Sequence, residues 1–211
     1  MPEPDLANLT DLGELERYIN ECAACPLAET RTKVVFGVGS PTADLMFIGE
    51  APGFHEDQSG EPFVGAAGRL LDELLDTVLG LSRSDTYIAN VLKCRPPGNR
   101  DPLPEEIEHC RPFLRKQDEL IAPKIVCTLG KHATSVVLRK NISISRIHGK
   151  LVHLGGRRLF PTYHPAAGLY NGSTKQLLIE DFHRLNHLLS VDDAAEPPVE
   201  ESQEQMDLFG Q

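Results

Sequence analysis

Apolar residues recur at steps of three and four between Leu9 and Ala24. Leu12, Leu15, Ile19 and Cys22 share one side, which predicts an amphipathic helix capped by Thr10 or Asp11. The same spacing predicts a helix over Ala67 to Leu79, with Leu70, Leu71, Leu74, Leu75 and Val78 on one face, and another over Ser173 to Leu189. Pro104 to Leu120 reads as a helix too: Pro104 suits a first turn, and Glu105 and Glu106 suit its positive dipole end. Between these lie short apolar runs of strand length at Ala43–Ile48, Asp85–Val91 and Lys124–Thr128. The last is followed by a helix through Val137. Leu151–Leu154 and Arg158–Phe160 form a short strand pair around Gly155-Gly156. Strands that alternate with helices imply an α/β layer fold with a mainly parallel sheet. Ligands of such sheets sit beyond the carboxyl ends of the strands.

At 211 residues and 23.3 kDa the chain suits one domain with tails. Residues 1–190 are expected to form it. The stretch 191–211, with Pro197-Pro198, many acids and few apolar residues, is expected to be disordered. No run is apolar enough to span a bilayer. The opening MPEPDLANL lacks the basic start and apolar middle of a signal peptide, so a cytoplasmic location is expected. A net charge of -10 argues against a partner made of phosphates. Its distribution reverses that. Residues 191–211 hold 7 acids and no Lys or Arg, and residues 1–21 hold 6 acids and one base. Taken from totals of 31 acids and 21 bases, this leaves residues 22–190 with 18 acids against 20 bases, a formal +2. The acidity solvates the ends. The middle is open to a polyanion.

Five cysteines occur: Cys22, Cys25, Cys94, Cys110 and Cys127. Without a secretory signal, a metal site is a better reading than disulfides. Cys22-Ala-Ala-Cys25 is a C-x2-C pair, and Cys94 and Cys110 form a C-x15-C pair. Four thiolates suit tetrahedral zinc or an iron–sulfur cluster, and spacing alone does not choose between them. The structural reading is that some are buried filler. Cys127, inside an apolar strand, is read as core packing.

Three segments after predicted strands carry polar residues that packing does not require. Gly49-Glu-Ala-Pro-Gly53 continues through Glu56 to Phe63-Val-Gly65; it is neither a P-loop nor G-x-G-x-x-G, but Glu50 sits where a strand ends. Asn90 ends the second strand, before Lys93-Cys94-Arg95-Pro96-Pro97. Thr162-Tyr-His164-Pro165 follows the last strand. Taken singly, a Gly-rich loop is a turn and a His is structural. A carboxylate, an amide and an imidazole at three strand ends form a more specific set. An Asn amide presents a donor and an acceptor together, as a nucleobase edge does.

With these motifs in this order, the chain resembles a family-4 uracil-DNA glycosylase, the iron–sulfur class, from Cys22 to about Leu189. The resemblance implies a three-layer α/β/α fold around a mainly parallel four-stranded sheet. It implies a 4Fe–4S cluster held by Cys22, Cys25, Cys94 and Cys110, with a structural role. It implies uracil flipped out of DNA, with Phe63 stacking on the ring, Asn90 bonding its N3 and O4 edge, and backbone near Gly49, Glu50 and Ala51 holding the base. The resemblance further implies that Glu50 would orient water and stabilise the charged sugar, that His164 would stabilise the uracil anion, and that Glu56 would line the wall where the methyl of thymine would sit. DNA contacts are expected from Lys93, Arg95, Arg100, Arg146, Lys150 and Arg69, with Leu169 or Tyr170 as the wedge that fills the gap. Arg146-Ile-His148 is similar to the loop of a related class that traps DNA covalently, but it stands elsewhere in the chain. The expected reaction is therefore simple hydrolysis by a monomer. A non-catalytic iron–sulfur DNA-binding or damage-sensing module is the alternative; it leaves Glu50, Asn90 and His164 unexplained.

Gln205-Met206-Asp207-Leu208-Phe209 resembles the short peptide by which bacterial proteins dock on the β sliding clamp. Met206, Leu208 and Phe209 would be apolar anchors on a polar tether.

Overall fold

The computed structural model describes residues 6–154 and 156–191. The tail peptide 205–209 lies outside them. In chain order the elements are α1 (Leu12–Asn20), α2 (Leu27–Thr30), β1 (Val38–Gly39), β2 (Leu45–Gly49), α3 (Phe54–Ser59) and α4 (Ala66–Leu74), which runs into a π-turn at Leu75–Leu79. Then come β3 (Tyr87–Asn90), α5 (Pro104–Ile121), β4 (Ile125–Leu129), α6 (Gly130–Val137), α7 (Ile144–Ile147), β5 (Val152–Leu154), β6 (Arg157–Thr162), α8 (Pro165–Tyr170) and α9 (Gly172–Ser190).

The strands form one sheet in the order β1-β3-β2-β4-β6-β5. Its centre, β3-β2-β4-β6, is parallel throughout, the four-stranded sheet expected. Two short antiparallel edge strands complete it, β1 on β3 and β5 on β6. β5 answers the expected strand pair; two-residue β1 carries no pattern that could have announced it. Every residue of β2, β3 and β4 is buried, as expected of strands covered by helices on both faces. Alternation then assigns the faces. Met46, Ile48, Tyr87, Ala89 and Val126 pack with Leu15, Ile19, Phe113, Leu114 and Val137 of α1, α5 and α6. Leu45, Phe47, Ile88, Ile125 and Cys127 pack with Leu70, Leu71, Leu74, Leu178, Phe182 and Leu185 of α4 and α9. Cys127 is core, as its strand implied. Two helical layers on one sheet make the α/β/α sandwich.

Asp11 caps α1, accepting from the Glu14 N–H at 2.8 Å. That helix ends at Asn20, so Cys22 and Cys25 stand in the turn beyond it. Among the described residues no helix is long and apolar enough to cross a membrane.

Candidate active site and cysteine cavity

Three of the four parallel strands, β2, β3 and β6, deliver residues to a cleft of about 450 Å³ at their carboxyl ends. Glu50, Ala51, Glu56, Phe63, Asn90 and His164 line it, together with Asn99, Arg100 and Asp101. Gly49 and Asn90 are direct register partners across β2 and β3. A Cβ on Gly49 would strike the Asn90 Oδ1 and come within 2.7 Å of the Phe63 ring. Glycine is what lets amide and ring meet there.

Phe63 holds a left-handed backbone, φ 55, uncommon for a bulky residue. Three neighbours keep it there. The Glu56 Oε1 accepts from the Val64 and Gly65 N–H groups at 3.0 and 3.1 Å. Gly68 leaves room for the Phe63 carbonyl. Arg83 donates to that carbonyl at 2.9 Å and to the Pro62 carbonyl, with Asp72 as its counter-ion at 3.0 Å. The Phe63 ring stacks on His164, centroids 5.6 Å apart and planes 26° apart. Glu56 thus lines the cleft as expected, and it also holds the loop that aims Phe63.

His164 follows β6, whose last residue, Thr162, donates to the buried Asp181 at 2.9 Å. Gly130, at φ 88, allows its approach: a Cβ there would stand 2.9 Å from the His164 Cβ. The His164 Nδ1 accepts from the Ala166 N–H at 3.1 Å. The neutral ring therefore carries its proton on Nε2, a donor available to the cleft. Burial holds the imidazole down to about 4, with Glu56 opposing, so the neutral form prevails at neutral pH.

Burial pushes the Glu50 carboxyl up; His132 opposes that and Asp101 adds to it. The donor atoms of Glu50, Asp101 and His132 all lie within 4.8 Å of one another. Asp101, His132, Gly130, Asp181 and Arg83 carry no sequence signal of their own beyond the glycine at a strand end.

The basic residues divide. Lys93 corrects an expectation: it is 1% exposed, its Nζ donating to the Asn90 carbonyl at 2.9 Å and the Gln117 Oε1 at 2.6 Å. It cannot reach DNA. Arg100 lines the cleft but spends both terminal nitrogens on buried Glu106, at 2.9 and 2.6 Å; it braces the start of α5. Arg95 lies over the Phe54 ring at 5.1 Å and donates to Asn99. Arg69, Arg146 and Lys150 are exposed. Leu169 and Tyr170 stand out from the end of α8, Tyr170 at 92% exposure. His148 faces Asp181 at 2.9 Å and Tyr163, and it does not line the cleft.

Cys22, Cys25, Cys94 and Cys110 line one cavity with Ile19, Ala24, Ala28, Arg31, Lys93 and Phe113. All four thiols are free. No three of their sulfurs lie within 4.8 Å of one another, since Glu50, Asp101 and His132 are the only such trio among the described residues. Four thiolates around one zinc ion at ~2.3 Å would stand about 4 Å apart. Four thiols on one cavity fit a bound metal centre. The surroundings agree: Arg31 donates to the Cys94 Sγ at 3.4 Å, and no carboxylate among the described residues is bonded to buried Lys93. Burial pulls its ammonium down to about 7, and Cys110 and Cys94 are the charges that oppose this.

A model of the uracil DNA glycosylase superfamily matches residues 36–186. The chain is 47% identical over 190 residues to a type-4 uracil-DNA glycosylase of Saccharolobus solfataricus, covering 86% of this chain and 88% of that one. It is 44% identical over 188 residues to the type-4 enzyme of Sulfurisphaera tokodaii, covering 85% and 86%. Over 170 residues it is 44% identical to that of Thermotoga maritima, covering 79% and 88%. The chain belongs to the uracil DNA glycosylase superfamily and, within it, to the type-4 family.

Proposed function

We propose that this protein hydrolyses the N-glycosidic bond of uracil flipped out of DNA and leaves an abasic site, the first step of base excision repair. The observation that carries the reading is the meeting of the Asn90 amide and the Phe63 ring over Gly49. A flat floor beside a donor–acceptor edge fits a pyrimidine. Phe63 stacks on the base, Asn90 reads N3 and O4, and the backbone at Gly49, Glu50 and Ala51 holds it. As the N1–C1′ bond breaks, its electron pair leaves with uracil. The Nε2–H of neutral His164 stabilises the resulting anion at O2. Glu50, ionised, faces the positive charge on the sugar and orients the water that attacks C1′; the proton this water releases balances the one the uracil anion takes up. One carboxylate suffices, because the leaving group is a stabilised anion. A non-catalytic module would need none of this. The test is release of uracil from a uracil-containing oligonucleotide, read as strand scission after alkali. No scission by cluster-loaded protein would reject the reading.

Cys22, Cys25, Cys94 and Cys110 would hold a 4Fe–4S cluster that ties the turn after α1 to the loop after Asn90, a structural cross-link. Absorption in the region of about 400 nm and iron in the purified protein would check this. Arg69, Arg95, Arg146 and Lys150 are the groups for phosphates, and Leu169 or Tyr170 is the wedge. The enzyme would work as a cytoplasmic monomer. Residues 205–209 would dock it on the sliding clamp, a reading drawn from sequence alone; deletion of residues 204–211 should abolish clamp binding in a pull-down.

A further inference from the structure

We propose that Lys93 is a strut between the cysteine cavity and the base-recognition edge: its buried ammonium holds the Asn90 carbonyl in place while answering the negative charge of the thiolate-bound cluster. This rests on the cluster reading above.

Lys93 lies three residues after Asn90 and immediately before Cys94. Its two oxygen partners are the Asn90 carbonyl and the Gln117 amide oxygen. Gln117 cannot rotate to present its nitrogen instead. Its Nε2 is committed to the Phe36 carbonyl at 2.9 Å and the Tyr87 hydroxyl at 3.0 Å. The amide is thus locked with its oxygen toward the ammonium. An ammonium has three protons, and these partners use two. The side chain also lines the cavity that the four cysteines share. A buried cation is stable only when paired. Both oxygen partners are neutral, so the charge of the pair must come from the sulfurs. A 4Fe–4S core bound by four thiolates is a net anion, and Lys93 and Arg31 line its cavity together with His109. The same ammonium therefore reports on two places. Losing the cluster removes its counter-charge, and losing Lys93 frees the carbonyl of the residue that reads the base.

The experiment compares wild type with Lys93→Met, Lys93→Arg and, as a charge-matched surface control, Lys140→Met. Iron in wild-type protein comes first: none would reject the cluster reading and leave the strut without its anion. Given iron, three quantities are measured: the rate of cluster loss to a chelator, the reduction potential of the cluster, and inhibition by free uracil. Lys93→Met should lose iron about tenfold faster, as expected for a group that supports metal ligands. It should shift the potential downward and weaken uracil inhibition several-fold, with Lys93→Arg intermediate and Lys140→Met at wild-type values. Lys93→Met matching Lys140→Met in all three would overturn the proposal. If Lys93→Met does not accumulate folded, Gln117→Met decides, because it frees one side of the ammonium and keeps its charge. A changed potential with weaker uracil inhibition supports the strut; wild-type values for both overturn it.

Discussion

The cleft opens past the strand ends with a mixed lining, whereas the cysteine cavity, reached from the same loop after β3, is walled by Ile19, Ala24, Ala28 and Phe113. In the cleft, donors and acceptors point into open space and are held from behind by other groups: Phe63 by Arg83 and Glu56, His164 by the Ala166 N–H and Gly130. In the cavity, burial pushes the Cys110 thiol up to about 12 and raises those of Cys94 and Cys25. Protonated thiols are the comfortable state at these three until a cation arrives, so metal uptake would release protons. On the proposed function, one region presents chemistry and the other holds the chain together. Substitutions in the two should therefore fail differently.

The largest effect is expected in the cleft. Asn90→Ala, His164→Ala and Glu50→Ala should each lower single-turnover uracil release by about 100-fold or more, with the thermal midpoint and the cluster absorbance near wild type. A matching loss of cluster in these variants would erase the contrast. In the cavity, Cys94→Ser or Cys110→Ser should abolish the absorption in the region of 400 nm and lower the thermal midpoint, activity falling only as folded protein is lost. Next comes Arg83→Ala, which strips the loop carbonyls of their donor. It should cost about 1–3 kcal/mol in kcat/KM, mostly through KM, and Arg83→Lys should restore part of it. An equal effect on kcat alone would show that Phe63 does not depend on that clamp.

The smallest effect concerns pH. The Glu50 carboxyl is raised above its ordinary 4.5, and the proposed reaction uses its ionised form. Activity should therefore fall as pH drops through that raised value, so the acid limb lies above 4.5. His132→Ala removes the opposing charge and should move the limb upward; Asp101→Asn should move it downward. Shifts of the same sign would break the assignment. His164 sets no limb in this range, being neutral down to about 4. Its depressed value instead stabilises the fold fully above the unfolded 6.5, and that share is lost as pH falls toward 4.

The parallel sheet was legible because β2, β3 and β4 are apolar runs buried on both faces, and because α4, α5 and α9 keep a helical spacing. α3 was not, hidden in a loop rich in Gly and Pro, nor was α8 behind His164-Pro165. The site's contributors were legible by type, since Glu50, Asn90 and His164 are polar residues at strand ends. What holds them was not. Lys93 beside a cysteine and an arginine reads as surface charge; only Gln117, 24 residues away, and the Asn90 carbonyl make it interior. Arg83 meets Phe63 across 20 residues. Such partnerships are set by packing between elements, and local sequence does not encode them.

The register pairing of Gly49 with Asn90 has a consequence for evolvability. Gly49 and Asn90 sit side by side on neighbouring strands of a parallel ladder, so their backbones stand one interstrand spacing apart, roughly 4.8 Å, and the Phe63 ring and Asn90 amide meet over the glycine. No point substitution within the strands can stretch that gauge. A lineage drifting toward bulkier bases would have to remodel the Pro62–Gly65 loop and release it from Arg83 and Glu56. The edge that Asn90 offers is thus set by the pitch of the sheet, while the loop that aims Phe63 is the part free to change.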